Sequence, residues 1–118
     1  MSDSQDILQA VRHFATEKPQ WLPVLQAACI MAGQAEPYGG QFAGTWVLSK
    51  LEEVTGQTIW VPGLRILQAY GLVHRVGSAR GGRRAYYTMP DRVVVEQALA
   101  DIGHPVPATM MQKPGETT

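Results

Sequence analysis

The sequence is poor in features that several protein classes require. It has a single cysteine, Cys29, so no internal disulfide can form, which fits a reducing cytoplasm. Acidic and basic residues balance to a formal net charge of zero, which gives no whole-molecule attraction to nucleic acid or membrane. No apolar run approaches the length of a transmembrane span, and the acidic N-terminal segment does not resemble a secretory signal. These absences predict a soluble cytoplasmic protein with no membrane partner.

Motifs for catalysis and metal binding are also missing. The three histidines show no HExxH-like spacing, and none pairs locally with Cys29 as a zinc ligand. The chain has no G-x-S-x-G nucleophile elbow and no phosphate-binding P-loop. Glu52 and Glu53 are adjacent on a predicted helix and point in different directions, so they make a poor acid–base pair. We therefore predict that the protein is not an enzyme and has no metal site and no cofactor.

The residues that are present favour one packed domain. Hydrophobic residues make up 45% of the 118-residue chain, and apolar positions recur at helical spacing in five segments. The predicted helices cover about residues 4–17, 21–32, 45–55, 61–70 and 91–102. Gly33, Gly56 and Gly71 are the predicted stops of the middle three. We expect a single domain over residues 1–103, a loop over 34–43, and a mostly disordered tail over 104–118.

A change of periodicity separates the fourth helix from the fifth. Residues 72–76 and 85–89 are rich in β-branched or aromatic side chains and predict two strands. The glycine- and arginine-rich segment between them predicts the tip of a β-hairpin. The sequence thus predicts an α+β fold of about five helices and one two-stranded hairpin.

The helices between residues 45 and 70 are joined by a short turn, as in a helix-turn-helix unit. The run GLRILQAYGLVHRV, which begins at Gly63, resembles the end of the recognition helix and the first wing strand of winged helix-turn-helix regulators. In regulators of the MarR and PadR type, leucines at fixed steps precede Gly-Leu-Val at this junction. The matching residues here are Leu64, Leu67, Gly71, Leu72 and Val73. The segment GGRRAYYTMPD resembles the second wing strand of PadR-like regulators.

The resemblance implies a DNA-binding transcription regulator with a recognition helix over about 61–70 and a wing over about 72–89. It also implies a possible homodimer through the terminal helices. The side chains that would pack across its two-fold axis are Ile7, Val11, Phe14, Val95, Leu99 and Ile102. The alternative is that these apolar stripes pack within their own domain.

Charge is concentrated in the same part of the chain. Six of the ten lysines and arginines lie between Pro62 and Arg92, against one aspartate. Guanidinium groups pair well with phosphate oxygens, so this segment predicts contact with the backbone of double-stranded DNA. The predicted DNA-binding residues are Thr58, Arg65, Gln68, Arg75, Arg80, Arg83 and Arg84. Among them, Arg65 and Gln68 are the candidate readers of guanine and adenine edges.

Two alternatives remain open. Ile59, Val61 and Ile66 are predicted to face outward on the recognition helix, and an apolar outer face is typical of a protein-interaction module. The aromatic residues near helix starts and in the 34–43 loop can form a small-molecule site, although core packing explains them more simply. These aromatic residues are Trp21, Tyr38, Phe42, Trp46 and Trp60.

Overall fold

The computed structural model describes residues 4–56, 64–76 and 86–106. Within these ranges the chain forms five α-helices and a small antiparallel sheet, so the predicted α+β class is confirmed. The helices are α1 (Ser4–Glu17), α2 (Leu22–Ala35), α3 (Gly44–Thr55), α4 (Arg65–Ala69) and α5 (Arg92–Asp101). The strands are β1 (Phe42–Ala43), β2 (His74–Val76) and β3 (Tyr86–Thr88).

Helix α1 has the bounds that its apolar spacing predicts. Ile7, Val11 and Phe14 recur on one face and are buried in the core, where α1 packs against α5. The helix ends where the N–H of Lys18 bonds to the carbonyl oxygen of Phe14 at 2.7 Å. Pro19 then begins a short 3-10 turn.

Helix α2 is longer than predicted, and the assignment of Gly33 as its stop is wrong. The helix continues through Gly33 to Ala35 and passes into a 3-10 turn over Glu36–Tyr38. The chain first adopts a left-handed conformation at Gly39, with φ of 100°. In the extension Ala35 packs against the core, whereas Gln34 is exposed.

The sheet contains a strand that the sequence analysis assigned to a loop. β1 pairs antiparallel with β3, placing Phe42 opposite Tyr87 and Ala43 opposite Tyr86. β2 pairs with the other side of β3, which gives the strand order β1-β3-β2. A two-residue strand is too short to show alternation in sequence, and only its pairing with β3 defines it. The predicted two-stranded hairpin is therefore part of a three-stranded sheet.

Helix α4 ends as predicted at Gly71, where φ is 75°. The N–H of Gly71 donates to the Gln68 carbonyl at 2.9 Å, and the N–H of Leu72 donates to the Leu67 carbonyl at 3.0 Å. This pair of bonds is a Schellman motif, which requires a left-handed residue after the helix and so favours glycine. Leu67 and Leu72 are both buried beside it. The predicted start of this helix and the preceding turn fall in residues 57–63, outside the described residues.

The last described segment continues past the end of α5. Asp91 is the N-cap residue of α5 and its carbonyl accepts the N–H of Val95 at 2.9 Å, but its side chain forms no capping hydrogen bond. After α5, the Gln26 side-chain amide donates to the carbonyls of His104 (3.2 Å) and Pro105 (3.0 Å). Val106 packs against the core. The rest of the predicted tail, residues 107–118, lies outside the described residues.

No helix in the described ranges is both long and apolar enough to cross a membrane.

Candidate nucleic-acid interface

The two candidate base-reading residues share one exposed face of α4. Arg65 and Gln68 are three positions apart, so they are neighbours on the helix surface, and both are exposed. Leu64, the N-cap residue of α4, and Leu67 are fully buried in the core. The helix is thereby anchored by its apolar side while a guanidinium and a carboxamide face solvent.

A side-chain contact ties the end of α4 to the end of α1. The Tyr70 hydroxyl donates a hydrogen bond to the Glu17 carboxylate, and this bond raises the pKa of Tyr70 above its usual value. The Tyr70 ring also packs edge-on against Phe14, with ring centroids 5.2 Å apart. The sequence analysis missed this contact because its partners are 53 residues apart. It fixes how α4 is presented on the domain.

The third basic position, Arg75, lies on the strand that follows α4. It is exposed on β2, at the edge of the sheet, and pairs in register with Tyr87 of β3. Neither Arg65 nor Arg75 forms an ion pair within the described parts of the chain. Two consecutive elements therefore carry guanidinium groups that have no carboxylate partner among the described residues.

The other predicted DNA-binding residues cannot be placed in the same way. Thr58, Arg80, Arg83 and Arg84 lie outside the described residues, as do Ile59 and Val61 of the alternative protein-interaction surface.

Ile66 does not face outward as predicted. It is half-buried and packs against the core, because it lies at the border between the exposed face of α4 and the face that carries Leu67. The only described member of the predicted apolar surface is thus occupied in intramolecular packing, which weakens the alternative.

Arg92 belongs to the basic segment by sequence but not by structure. Its Nε lies 2.7 Å from Oε1 of Glu36, and its Nη1 lies 2.8 Å from Oε2 of Glu96. The hydrogen bond to Glu36 is the main cause that raises the pKa of Arg92 above its usual value. Two carboxylates compensate this charge, so it adds nothing to an anion-binding surface beside α4.

The apolar stripes that the resemblance assigned to a dimer interface are occupied within the chain. Ile7, Val11 and Phe14 of α1 are buried, as are Val95 and Leu99 of α5, where the two helices pack together. Ile102 is partly buried against the same core. The alternative explanation, packing within the domain, therefore accounts for these side chains.

The aromatic residues near helix starts have different environments. Phe42 is fully buried and Trp21 packs against the core, as the simpler explanation requires. Trp46 stays partly exposed, edge-on to Tyr86 with ring centroids 5.9 Å apart. Tyr38 is 85% exposed. Trp60 lies outside the described residues.

Cys29 is a buried thiol, with its Sγ 3.8 Å from Sδ of Met89. Burial, and secondarily the charge of Glu96, raises the pKa of the thiol far above its ordinary value, so it is neutral at physiological pH. In the described part of the chain, no group of three histidine, cysteine, aspartate or glutamate residues is placed to hold a metal ion.

Comparison with protein-family models, with curated proteins and with solved structures finds no match to this chain.

Proposed function

We propose that the protein binds double-stranded DNA as a winged helix-turn-helix transcription regulator. In this proposal α4 enters the major groove, and the segment that joins β2 to β3 is the wing. The observation that carries the proposal is the division of α4 into two faces. Leu64 and Leu67 fix one face in the core, and Arg65 and Gln68 project from the other.

The side chains on that face suit base recognition. An arginine can donate two hydrogen bonds to O6 and N7 of guanine, and a glutamine can make a bidentate pair with N6 and N7 of adenine. A five-residue helix held by buried leucines and by Tyr70 presents both groups in a defined orientation. Such a helix loses little conformational freedom on binding.

Arg75 supplies the backbone contact in the described part of the wing. It follows Gln68 by seven positions along the chain and has no carboxylate partner among the described residues. Contacts to phosphate orient a protein on the duplex without reading sequence. The wing arginines Arg80, Arg83 and Arg84 are proposed to add further contacts of this kind.

Fluorescence anisotropy of a labelled duplex, titrated at low and at moderate salt, tests the proposal. We expect binding that weakens steeply with salt, because each neutralised phosphate releases counterions. The Arg75→Ala variant should weaken binding to all sequences and lower the salt slope by about 0.9 for the lost contact. The triple variant of the three wing arginines should lower the slope further.

Arg12→Ala is the matched control, because Arg12 is exposed on α1 and its removal changes the charge equally. No binding at low salt contradicts DNA binding. Equal losses in the Arg12 and Arg75 variants contradict the proposed surface and indicate only a general charge effect. Once a specific site is known, Arg65→Ala should cost about 1–3 kcal/mol at one guanine position.

A further inference from the structure

A groove of about 1060 Å³ opens between α2, α3 and α5, and none of its lining residues lies on α4. This volume slightly exceeds the usual range of about 300–1000 Å³ for small-molecule sites. Its lining is mostly apolar, with a few charged groups on α3 and α5. The lining residues include Ile30, Met31, Trp46, Lys50, Glu53 and Arg92.

Lys50 is the unusual member of this lining. Its side chain is only 7% exposed, and its one ion pair within the described ranges is with Glu53, with Nζ 3.9 Å from Oε1. That distance is too long for a hydrogen bond. Within the described residues no buried side-chain nitrogen or oxygen lacks a hydrogen-bond partner, so Nζ of Lys50 still reaches solvent at the groove. The Nζ group therefore offers unused donors at the wall of the groove.

Arg92, on the wall formed by α5, differs from Lys50 because carboxylates already compensate its charge. Its guanidinium already holds Glu36 and Glu96 at hydrogen-bond distance, so both Arg92 and Glu96 are neutralised by their own partners. Glu53 is 56% exposed, so another acceptor can displace its carboxylate from Lys50 at little cost in free energy. Lys50 is thus the basic side chain of the groove that has no hydrogen-bonded carboxylate among the described residues, and an anionic ligand could supply one.

The apolar part of the groove lies on the same helices as this donor. Trp46 is on α3 one turn before Lys50, and Ile30 and Met31 line the wall formed by α2. Trp46 is held edge-on by Tyr86 and remains 37% exposed, so part of its ring is open to a ligand. Apolar walls with one oriented polar group are typical of sites for small organic molecules.

We propose that this groove binds a small organic acid. Its carboxylate accepts hydrogen bonds from Nζ of Lys50, and its apolar body packs against Ile30, Met31 and Trp46. The proposal is independent of DNA binding, because none of these residues belongs to the proposed DNA interface.

Two-dimensional ¹⁵N–¹H NMR of the labelled full-length protein tests the site without DNA, using sodium octanoate and 1-octanol as probes. The two have similar apolar bodies, and only octanoate carries the charge that Lys50 should bind. We expect octanoate to shift the Trp46 indole N–H and the amides around Lys50 and Arg92 in a saturable way. Octanol should bind about tenfold more weakly or not at all.

Lys50→Met is the informative variant, and Lys18→Met, outside the groove, is the matched control. Methionine keeps the length of the buried stem, so the Lys50→Met variant should keep the spectrum of a folded protein. If that variant does not fold, Lys50→Gln is used in its place. The Lys50 variant should bind octanoate about tenfold more weakly than the native chain does. The Lys18 variant should bind it with the affinity of the native chain. Equal affinities for octanoate and octanol, an unchanged affinity in the Lys50 variant, or shifts confined to other surfaces would overturn the proposal.

Discussion

At the scale of single residues, Arg92 and Arg75 are equivalent in sequence and different in structure. Both count as positive charges in the same segment, yet Arg92 is held by two carboxylates and Arg75 is exposed. A count of charges along the chain cannot separate them, because Glu36 lies 56 residues from Arg92. Among the described arginines of this segment, those without an ion pair are therefore the ones that the proposed DNA contact requires.

The pairing of Arg92 predicts a loss of stability on substitution. The side chain is 19% exposed and joins the turn after α2 to α5. Arg92→Met should lower the free energy of unfolding by about 1–2 kcal/mol, because it leaves two carboxylates without their hydrogen-bonded cation. Urea unfolding followed by circular dichroism measures the change.

Arg12→Met is the control for this experiment, because Arg12 is exposed and forms no ion pair with the described residues. It should change stability by less than about 0.5 kcal/mol. If Arg92→Met were as stable as the native chain, the two ion pairs would contribute nothing net, as many surface pairs do.

At the scale of elements, helix ends were predicted well where a glycine adopts a left-handed conformation and poorly where it does not. Gly56 and Gly71 terminate α3 and α4 as expected, with φ of 70° and 75°. Gly33 is also a glycine, but unlike Gly56 and Gly71 it lies inside its helix, α2. Sequence identifies a glycine that can end a helix, whereas the backbone conformation that the folded chain gives this glycine decides whether it does.

A pair of glycine substitutions tests this difference. Gly33→Ala should raise the free energy of unfolding by about 0.5–1 kcal/mol, because alanine favours helix more than glycine does. The added Cβ would meet the Arg92 side chain at an ordinary contact distance of 3.5 Å. Thermal or urea unfolding of the variant checks the sign.

Gly56→Ala is the counterpart at a true helix end. Nothing lies within 4 Å of its added Cβ, so only the positive φ opposes the substitution. It should lower the free energy of unfolding by about 1 kcal/mol. If Gly33→Ala destabilised the protein to the same degree, α2 would end at Gly33 as the sequence pattern indicated.

At the scale of the whole molecule, the packing of α1 against α5 predicts a monomer. The side chains that a dimer of the terminal helices would use are already buried within one chain. A stable dimer would need a different surface of roughly 800 Å² per partner. Size-exclusion chromatography with light scattering should therefore give a mass close to 12.9 kDa at micromolar concentration. A mass near twice that value would contradict this expectation and restore the symmetric arrangement that the resemblance implies.

Within the described residues, the sequence by itself determined the five helices, apart from the end of α2, and the strands β2 and β3, because their signals are local. Apolar spacing and glycine caps act over a few residues, and the backbone hydrogen bonds of a helix close over four. Within the candidate interface, the same spacing predicted that Arg65 and Gln68 share an exposed face. The same local pattern predicted an outward-facing Ile66, which is wrong, since a border position is buried or exposed according to what packs beside it.

The tertiary structure alone decided the features that join distant parts of the chain. It pairs Phe42 with Tyr87, sets Tyr70 against Glu17 and buries Lys50 in the wall of a groove. Each of these contacts depends on the packing of several elements around one core, and no periodicity in a single segment encodes it. Burial and long-range pairing therefore determine which basic side chains of the described residues are held by a carboxylate within hydrogen-bond distance, and both proposed sites depend on those that are not.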